Sequence, residues 1–159
     1  MYYKDFDFGC LVYMKGIKSH LGSMMKYQYK KESSQGIRLQ FPKVNIVKID
    51  ENVVTLGFNE NNKGLHFFQK LKDMNDSKIR KKGLIAFNGN GPISMKVNEN
   101  TLYFTEDSCI TTLNETKRLV ENKTECKVVV IASSEGLWTT ETSYGNTWII
   151  DQMKIYLLR

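Results

Sequence analysis

The chain has 159 residues, 41% hydrophobic and 11% aromatic, enough to bury the core of one domain spanning residues 1–159 and unlike a disordered segment. No apolar run approaches the ~20 residues of a membrane span, so no membrane association is expected, and two prolines leave no proline-rich linker. The formal net charge of +6 suits a polyanionic partner.

The opening MYYKDFDFG lacks the charged and apolar regions of a signal peptide. Cys10, Cys109 and Cys126 are odd in number and scattered, as expected of idle thiols in a reducing cytoplasm. His20 and His66 are far apart and no CxxC occurs, so neither a metal site nor a cofactor is expected. The abundance of Lys, Asn and Ile points to an AT-rich genome.

Tyr2, Tyr3, Phe6 and Phe8 form a dense aromatic cluster expected to cap a barrel. Cys10 to Lys15 reads as a first strand, and Gly16 to Gly36 as a polar, glycine-punctuated segment. From Lys15 to Lys48 there are eight cations (Lys15, Lys18, Lys26, Lys30, Lys31, Arg38, Lys43 and Lys48) and one acid, Glu32. Tyr27, Tyr29 and Phe41 are interleaved with them. Cations for phosphates and aromatic faces for bases are the two ingredients of single-strand binding.

In Ile37 to Ile49 the residues Ile37, Leu39 and Phe41 fall on one face, and Arg38 and Gln40 on the other, until Pro42 marks a bulge or edge. This alternation also allows Phe41 an inward position. A turn at Asp50-Glu51-Asn52 joins Val44–Ile49 to a strand over Val53–Phe58 as a hairpin. Beyond a polar loop over 59–63, the spacing of Leu65, Phe68, Leu71, Met74 and Ile79 predicts a helix, ended by the cations Lys78 to Lys82 and by Gly83.

Leu84 to Phe87 reads as a short strand. The turn 88–92 contains no phosphate-loop pattern. Ile93–Val97 and Thr101–Thr105 read as a hairpin across Asn98-Glu99-Asn100, and Leu113 to Val120 as a short helix. Lys127–Ala132 is a buried strand, and Thr147–Leu157 a central strand apolar on both faces. Between them Ser134, Gly136, Tyr144, Gly145 and Asn146 supply turn chemistry, and the connection carries Trp138. Of the two tryptophans, Trp148 is the one expected in the core.

No GxSxG or HExxH occurs, two histidines leave little room for acid–base work, and the adjacent Glu106 and Asp107 would point apart, so an enzyme is not expected. Short strands, a helix between them and a basic aromatic surface predict a mainly β fold: an OB-fold-like five-stranded barrel with additional strands and one principal helix.

Gly136, Leu137 and Trp138, followed by Tyr144, Gly145, Thr147, Trp148, Ile150 and Gln152, resemble the closing strands of the single-stranded DNA-binding proteins of large nucleocytoplasmic DNA viruses. Those proteins are similar in architecture to the single-stranded DNA-binding protein of T-odd phages, and yeast cytoplasmic linear plasmids use relatives. Ile37 to Val44 resembles the family's hydrophobic-x-x-Gln-x-Pro-basic strand, and a helix such as Asn62 to Arg80 follows as it does there. These matches cover about a third of the chain. The resemblance implies a non-catalytic protein that coats and protects single-stranded DNA during replication of a viral or plasmid genome. Phage relatives end in an acidic tail that recruits replication proteins. This sequence ends at YLLR, so recruitment through such a tail is not expected.

The residues expected at the DNA are Lys26, Lys30, Lys31, Arg38 and Lys43 for phosphates, with Gln40 beside them, and Tyr27, Tyr29 and Phe41, then Trp138, Tyr144 and Trp148, for stacking. A free edge strand or the aromatic arm could form a homo-oligomer. Two other readings stay open at this point: a structural or protein-interaction barrel, and a duplex-terminus or RNA-binding protein, since the 2′-OH contact is local geometry.

Overall fold

A computed structural model describes residues 1–32, 34–58, 63–79, 82–87, 91–107, 110–122 and 125–157. Residues 59–62 of the expected loop over 59–63, Arg80 and Lys81, residues 88–90 of the expected turn over 88–92, Cys109 and the last two residues lie outside these.

Two short 3-10 turns, Tyr3–Asp5 and Phe8–Cys10, lead into β1 (Leu11–Tyr13), β2 (Ile17–Ser19), β3 (Gly22–Tyr29) and β4 (Ser34–Gln35). Then come β5 (Ile37–Gln40), β6 (Val44–Asp50), β7 (Val53–Leu56), the helix α1 (Lys63–Lys78), β8 (Ile85–Ala86), β9 (Ile93–Lys96), β10 (Leu102–Thr105) and β11 (Ile110–Thr111). The helix α2 (Leu113–Glu121) precedes β12 (Cys126–Ser134), β13 (Gly136–Thr139), β14 (Ser143–Gly145) and β15 (Ile149–Leu157).

Five strands close a ring in the order β6-β7-β9-β15-β12 and back to β6. Numbered along the chain this is 1-2-3-5-4-1, with 3 and 5 parallel and the other pairs antiparallel. The fold is therefore mainly β, built on a closed, OB-fold-like five-stranded barrel with extra strands and two helices. β5 and β6 act as one bent strand. Gln40 pairs with Ile131 and Val44 with Val128, and Pro42, which has no N–H to donate, sits in the bend between them.

The expected hairpin of Val44–Ile49 with Val53–Phe58 is present, its second strand ending at Leu56, and Glu51 takes a positive φ of 48° in its turn. The expected hairpin of Ile93–Val97 with Thr101–Thr105 is not. β9 and β10 run in the same direction, both parallel to β15, with Lys96 beside Ile149 and Leu102 beside Gln152. Asn98-Glu99-Asn100 is an excursion within one broken strand. The Thr101 hydroxyl pins it by donating to the Ile150 carbonyl at 2.6 Å and accepting from the Asn98 N–H at 3.1 Å.

α2 starts at the N-cap Thr112, and the Glu115 carboxylate accepts from the Thr111 hydroxyl at 2.5 Å. Thr112 Oγ1 accepts from the Glu115 N–H at 3.2 Å, and the helix follows the expected span closely. It lies between strands 3 and 4 of the ring. The longer α1, between strands 2 and 3, buries Leu65, Phe67, Phe68, Leu71 and Asn75 at helical spacing. Phe67 and Phe68 meet Phe41 and Trp148, so α1 closes one end of the barrel with aromatic rings.

The segment read as polar, 16–36, holds β2, β3 and β4. β3 anchors a second sheet, β1-β3-β13-β14-β8, to which the long connection between β12 and β15 contributes β13 and β14. Close approach is built in at Gly136, where a Cβ would sit 2.3 Å from the Met25 carbonyl oxygen. A buried relay ties this sheet to α1 and β12. Tyr13 and Tyr27 donate to Asn75 Oδ1 at 2.6 and 2.9 Å, Asn75 Nδ2 reaches Asn146 Oδ1 at 3.5 Å, and Asn146 Nδ2 donates to Ser134 at 3.2 Å. The aromatic arm is seated as expected: Tyr3 and Phe6 are buried, and Phe6 stacks on Tyr29 at 4.7 Å.

Candidate nucleic-acid interface

Alternation along β3 decides where its side chains go. Met25, Tyr27 and Tyr29 point to the core; Met24, Lys26 and Gln28 point away from it. Tyr27 is fully buried against Tyr13, and Tyr29 lies under Phe6 with its hydroxyl accepting the Asp7 N–H at 2.9 Å. Phe41 is also fully buried, 5.0 Å from Phe68 and 5.3 Å from Trp148. Trp148 is buried as expected, and Tyr144 is buried with its hydroxyl on Asp76. Five of the six residues expected to stack on bases thus have no open ring face; they are core residues. Trp138 is the exception and is half-buried.

The cations separate into groups. Lys30 and Lys31 are exposed past the end of β3, six residue steps or roughly 20 Å from Met24, the neighbour of Trp138. Lys31 is 3.4 Å from Asp7, whose carboxyl is held below its usual range, chiefly by the Gly9 N–H. Lys26 is half-buried opposite Gly136. Arg38 is exposed but engaged: its Nε donates to Asp151 at 3.0 Å, and Ser133 donates to the same oxygen at 2.5 Å. Gln40 and Lys43 lie further along the outside of the barrel, with Lys43 Nζ 3.8 Å from the centre of the Tyr156 ring.

Around Trp138 the structure builds a site that composition alone does not indicate. Ile17, Met24, Trp138 and Gly145 are successive ladder partners on one face of the second sheet. Phe87 completes the row at 5.7 Å from Trp138, over the space that Gly145 leaves by having no side chain. Ile17 is 61% exposed and Phe87 46%, so the strip is open to solvent. The Trp138 indole N–H donates to Thr147 at 3.1 Å, which fixes the ring.

Between this strip and the barrel lies a cleft of about 290 Å³, lined by Met24, Asn98, Ser133, Trp138, Ile149 and Asp151 among others. On the barrel side it is lined by Ile149, Ser133 and Asp151, with Glu135 also at its edge; Lys96 and Arg38 lie beyond the lining as the ladder partners of Ile149 and Ser133. Trp138 thus sits in the connection between strands 4 and 5, a loop that OB barrels use for oligonucleotides, with two cations next to the cleft: Arg38, paired with Asp151, and Lys96, without an ion pair among the described residues.

Ile17, Met24, Phe87 and Lys96 were missed in the sequence because their juxtaposition depends on strands distant in the chain. A larger groove of about 930 Å³ on the opposite face of the sheet is lined by Lys15, Lys18, Lys78 and Met25. It has cations without an open aromatic face, so the Trp138 cleft is the better stacking site. Among the described residues no cluster could hold a metal ion and no helix is long and apolar enough to cross a membrane. Cys10 and Cys126 are free thiols.

No protein-family model, curated protein or solved structure matches the chain.

Proposed function

We propose that this protein is a non-catalytic single-stranded DNA-binding protein that coats and protects single strands during replication of a viral or cytoplasmic plasmid genome. The observation that carries the reading is the half-exposed Trp138, fixed in an open apolar strip on the strand 4–5 connection of a closed five-stranded barrel. A base stacks on Trp138, and Phe87 and Met24 extend the platform. Lys96, Lys26 and Arg38 meet the phosphates, Arg38 by exchanging Asp151 for a phosphate oxygen. The net charge of +6 and the viral-type motifs around Trp138 and Ile37–Val44 support the same reading. The protein acts in the cytoplasm beside other replication proteins.

The test is fluorescence anisotropy with labelled oligo(dT) and a duplex of equal length over a salt series. Preference for the single strand, with log affinity falling by about 0.7 per neutralised phosphate per log unit of salt, supports the reading. Equal weak binding of both forms refutes it in favour of a structural or protein-interaction barrel.

A further inference from the structure

The outside of the barrel is a second charged surface, away from Trp138. Along β12 the outward residues are Ser133, Ile131, Val129 and Lys127, and β15 sets Ile149, Gln152, Lys154 and Tyr156 directly beside them. Ser133 and Ile149 belong to the Trp138 cleft, so this face begins where the cleft ends. Six residue steps from Ser133 to Lys127 make a track about 20 Å long. At its far end Tyr156 is ringed by cations. Lys43 Nζ lies 3.8 Å and Lys154 Nζ 5.4 Å from its ring centre, and Lys127 is its ladder partner. Phe104 flanks Lys154 on the next strand. Among the outward residues of the β12–β15 ladder the single carboxylate is Asp151, and Arg38 and Ser133 already engage it. Three lysines around a half-buried tyrosine with no free carboxylate between them complement a phosphodiester chain rather than a protein of mixed charge.

We propose that a single strand held at Trp138 continues along the outside of β12 and β15, with its phosphates on Lys43, Lys127 and Lys154 and a base on the face of Tyr156 that a lysine ammonium now covers. This path rests on the single-strand-binding reading above. It runs along strand 4, not across the strand 2–3 face that OB barrels commonly use. It gives a footprint larger than the cleft alone, within the roughly 4–16 nucleotides one OB fold covers.

The test compares oligo(dT) of about 4 and about 12 nucleotides on the full chain. Four variants are used: Tyr156→Ala, Tyr156→Phe, the combined Lys43→Gln/Lys127→Gln/Lys154→Gln, and Trp138→Ala. The long oligomer should bind more tightly than the short one. Tyr156→Ala should weaken the long oligomer by roughly 5- to 150-fold and leave the short one unchanged, and Tyr156→Phe should restore binding. The lysine variant should lower the salt slope for the long oligomer by about 2. Trp138→Ala should weaken both lengths. If the wild-type chain binds both lengths equally, or the Tyr156 and lysine variants bind the long oligomer as wild type while Trp138→Ala does not, the path is wrong and the cleft stands. If the wild-type chain binds neither length, the single-strand reading itself fails.

Discussion

Replacing Asn75 by Ala removes one acceptor and leaves two phenols without a partner. Tyr27 donates to Asn75 Oδ1 at 2.9 Å from a fully buried position, so its hydroxyl loses its only protein acceptor among the described residues. An unsatisfied buried hydroxyl costs about 1–3 kcal/mol. Tyr13 donates at 2.6 Å from a half-buried position that water can reach, so its loss is nearer an ordinary net hydrogen bond, about 0.5–1.5 kcal/mol. The expected total is about 2–4 kcal/mol, a large part of the roughly 5–15 kcal/mol that holds a domain together. A cavity of about 20 Å³ beside Asn75 has room for one water, which draws the figure toward the lower end. Urea unfolding of Asn75→Ala, Tyr27→Phe and the double variant measures this directly. With the Tyr27 hydroxyl already gone, Asn75→Ala should cost about 1–2 kcal/mol less than in wild type. Additivity within about 0.5 kcal/mol would refute the claim that this relay ties α1 to the second sheet.

The same tyrosines set a pH dependence. Burial raises the phenol pKa of both Tyr27 and Tyr13, with Tyr13 adding to the effect on Tyr27 and the Asn75 hydrogen bond opposing it. Because the folded value lies above the unfolded value of about 10, the stability they contribute is complete below pH ~10 and is lost as pH rises beyond it. Urea midpoints should therefore fall above that pH, and less steeply in Tyr27→Phe. Gly136→Ala would drive a Cβ into the Met25 carbonyl 2.3 Å away. It should cost about 1–3 kcal/mol of stability, read by thermal melting, and shift Trp138 emission to the red as β13 lifts from β3. Asp151→Asn should release Arg38, tightening oligo(dT) binding and steepening the salt slope by up to about 0.7.

Much of the barrel was legible in local pattern. The apolar run Lys127–Ala132, the two-sided Thr147–Leu157 and the turn at Asp50-Asn52 each correspond to an observed element because period and turn chemistry are short-range signals. What the sequence hid was long-range. Ile93–Val97 and Thr101–Thr105 look like a hairpin from spacing, yet β15 offers a parallel edge to both and holds Thr101 by its hydroxyl. The stacking residues failed for a different reason. Met25, Tyr27 and Tyr29 alternate with Lys26, Gln28 and Lys30, which is the pattern of a half-buried strand and assigns both tyrosines to the face opposite the lysines. The glycines and polar residues that punctuate 16–36 mask that period. Substituting Tyr27, Tyr29 and Phe41 together by Ala would consequently test the fold and not the groove, since truncating a buried aromatic costs about 3–5 kcal/mol each. Phe87 joins Trp138 only because Gly145, between their strands, has no side chain, and no local pattern carries that information.

The central claim is that Trp138, and not the buried Trp148, meets the bases. The most direct measurement is intrinsic tryptophan fluorescence of the wild-type chain and of Trp138→Phe during titration with oligo(dT). Quenching in wild type that disappears in Trp138→Phe, with affinity reduced by about 1 kcal/mol or more, is the predicted result. Quenching that persists in Trp138→Phe, or a wild-type signal that single-stranded DNA leaves unchanged, would contradict it.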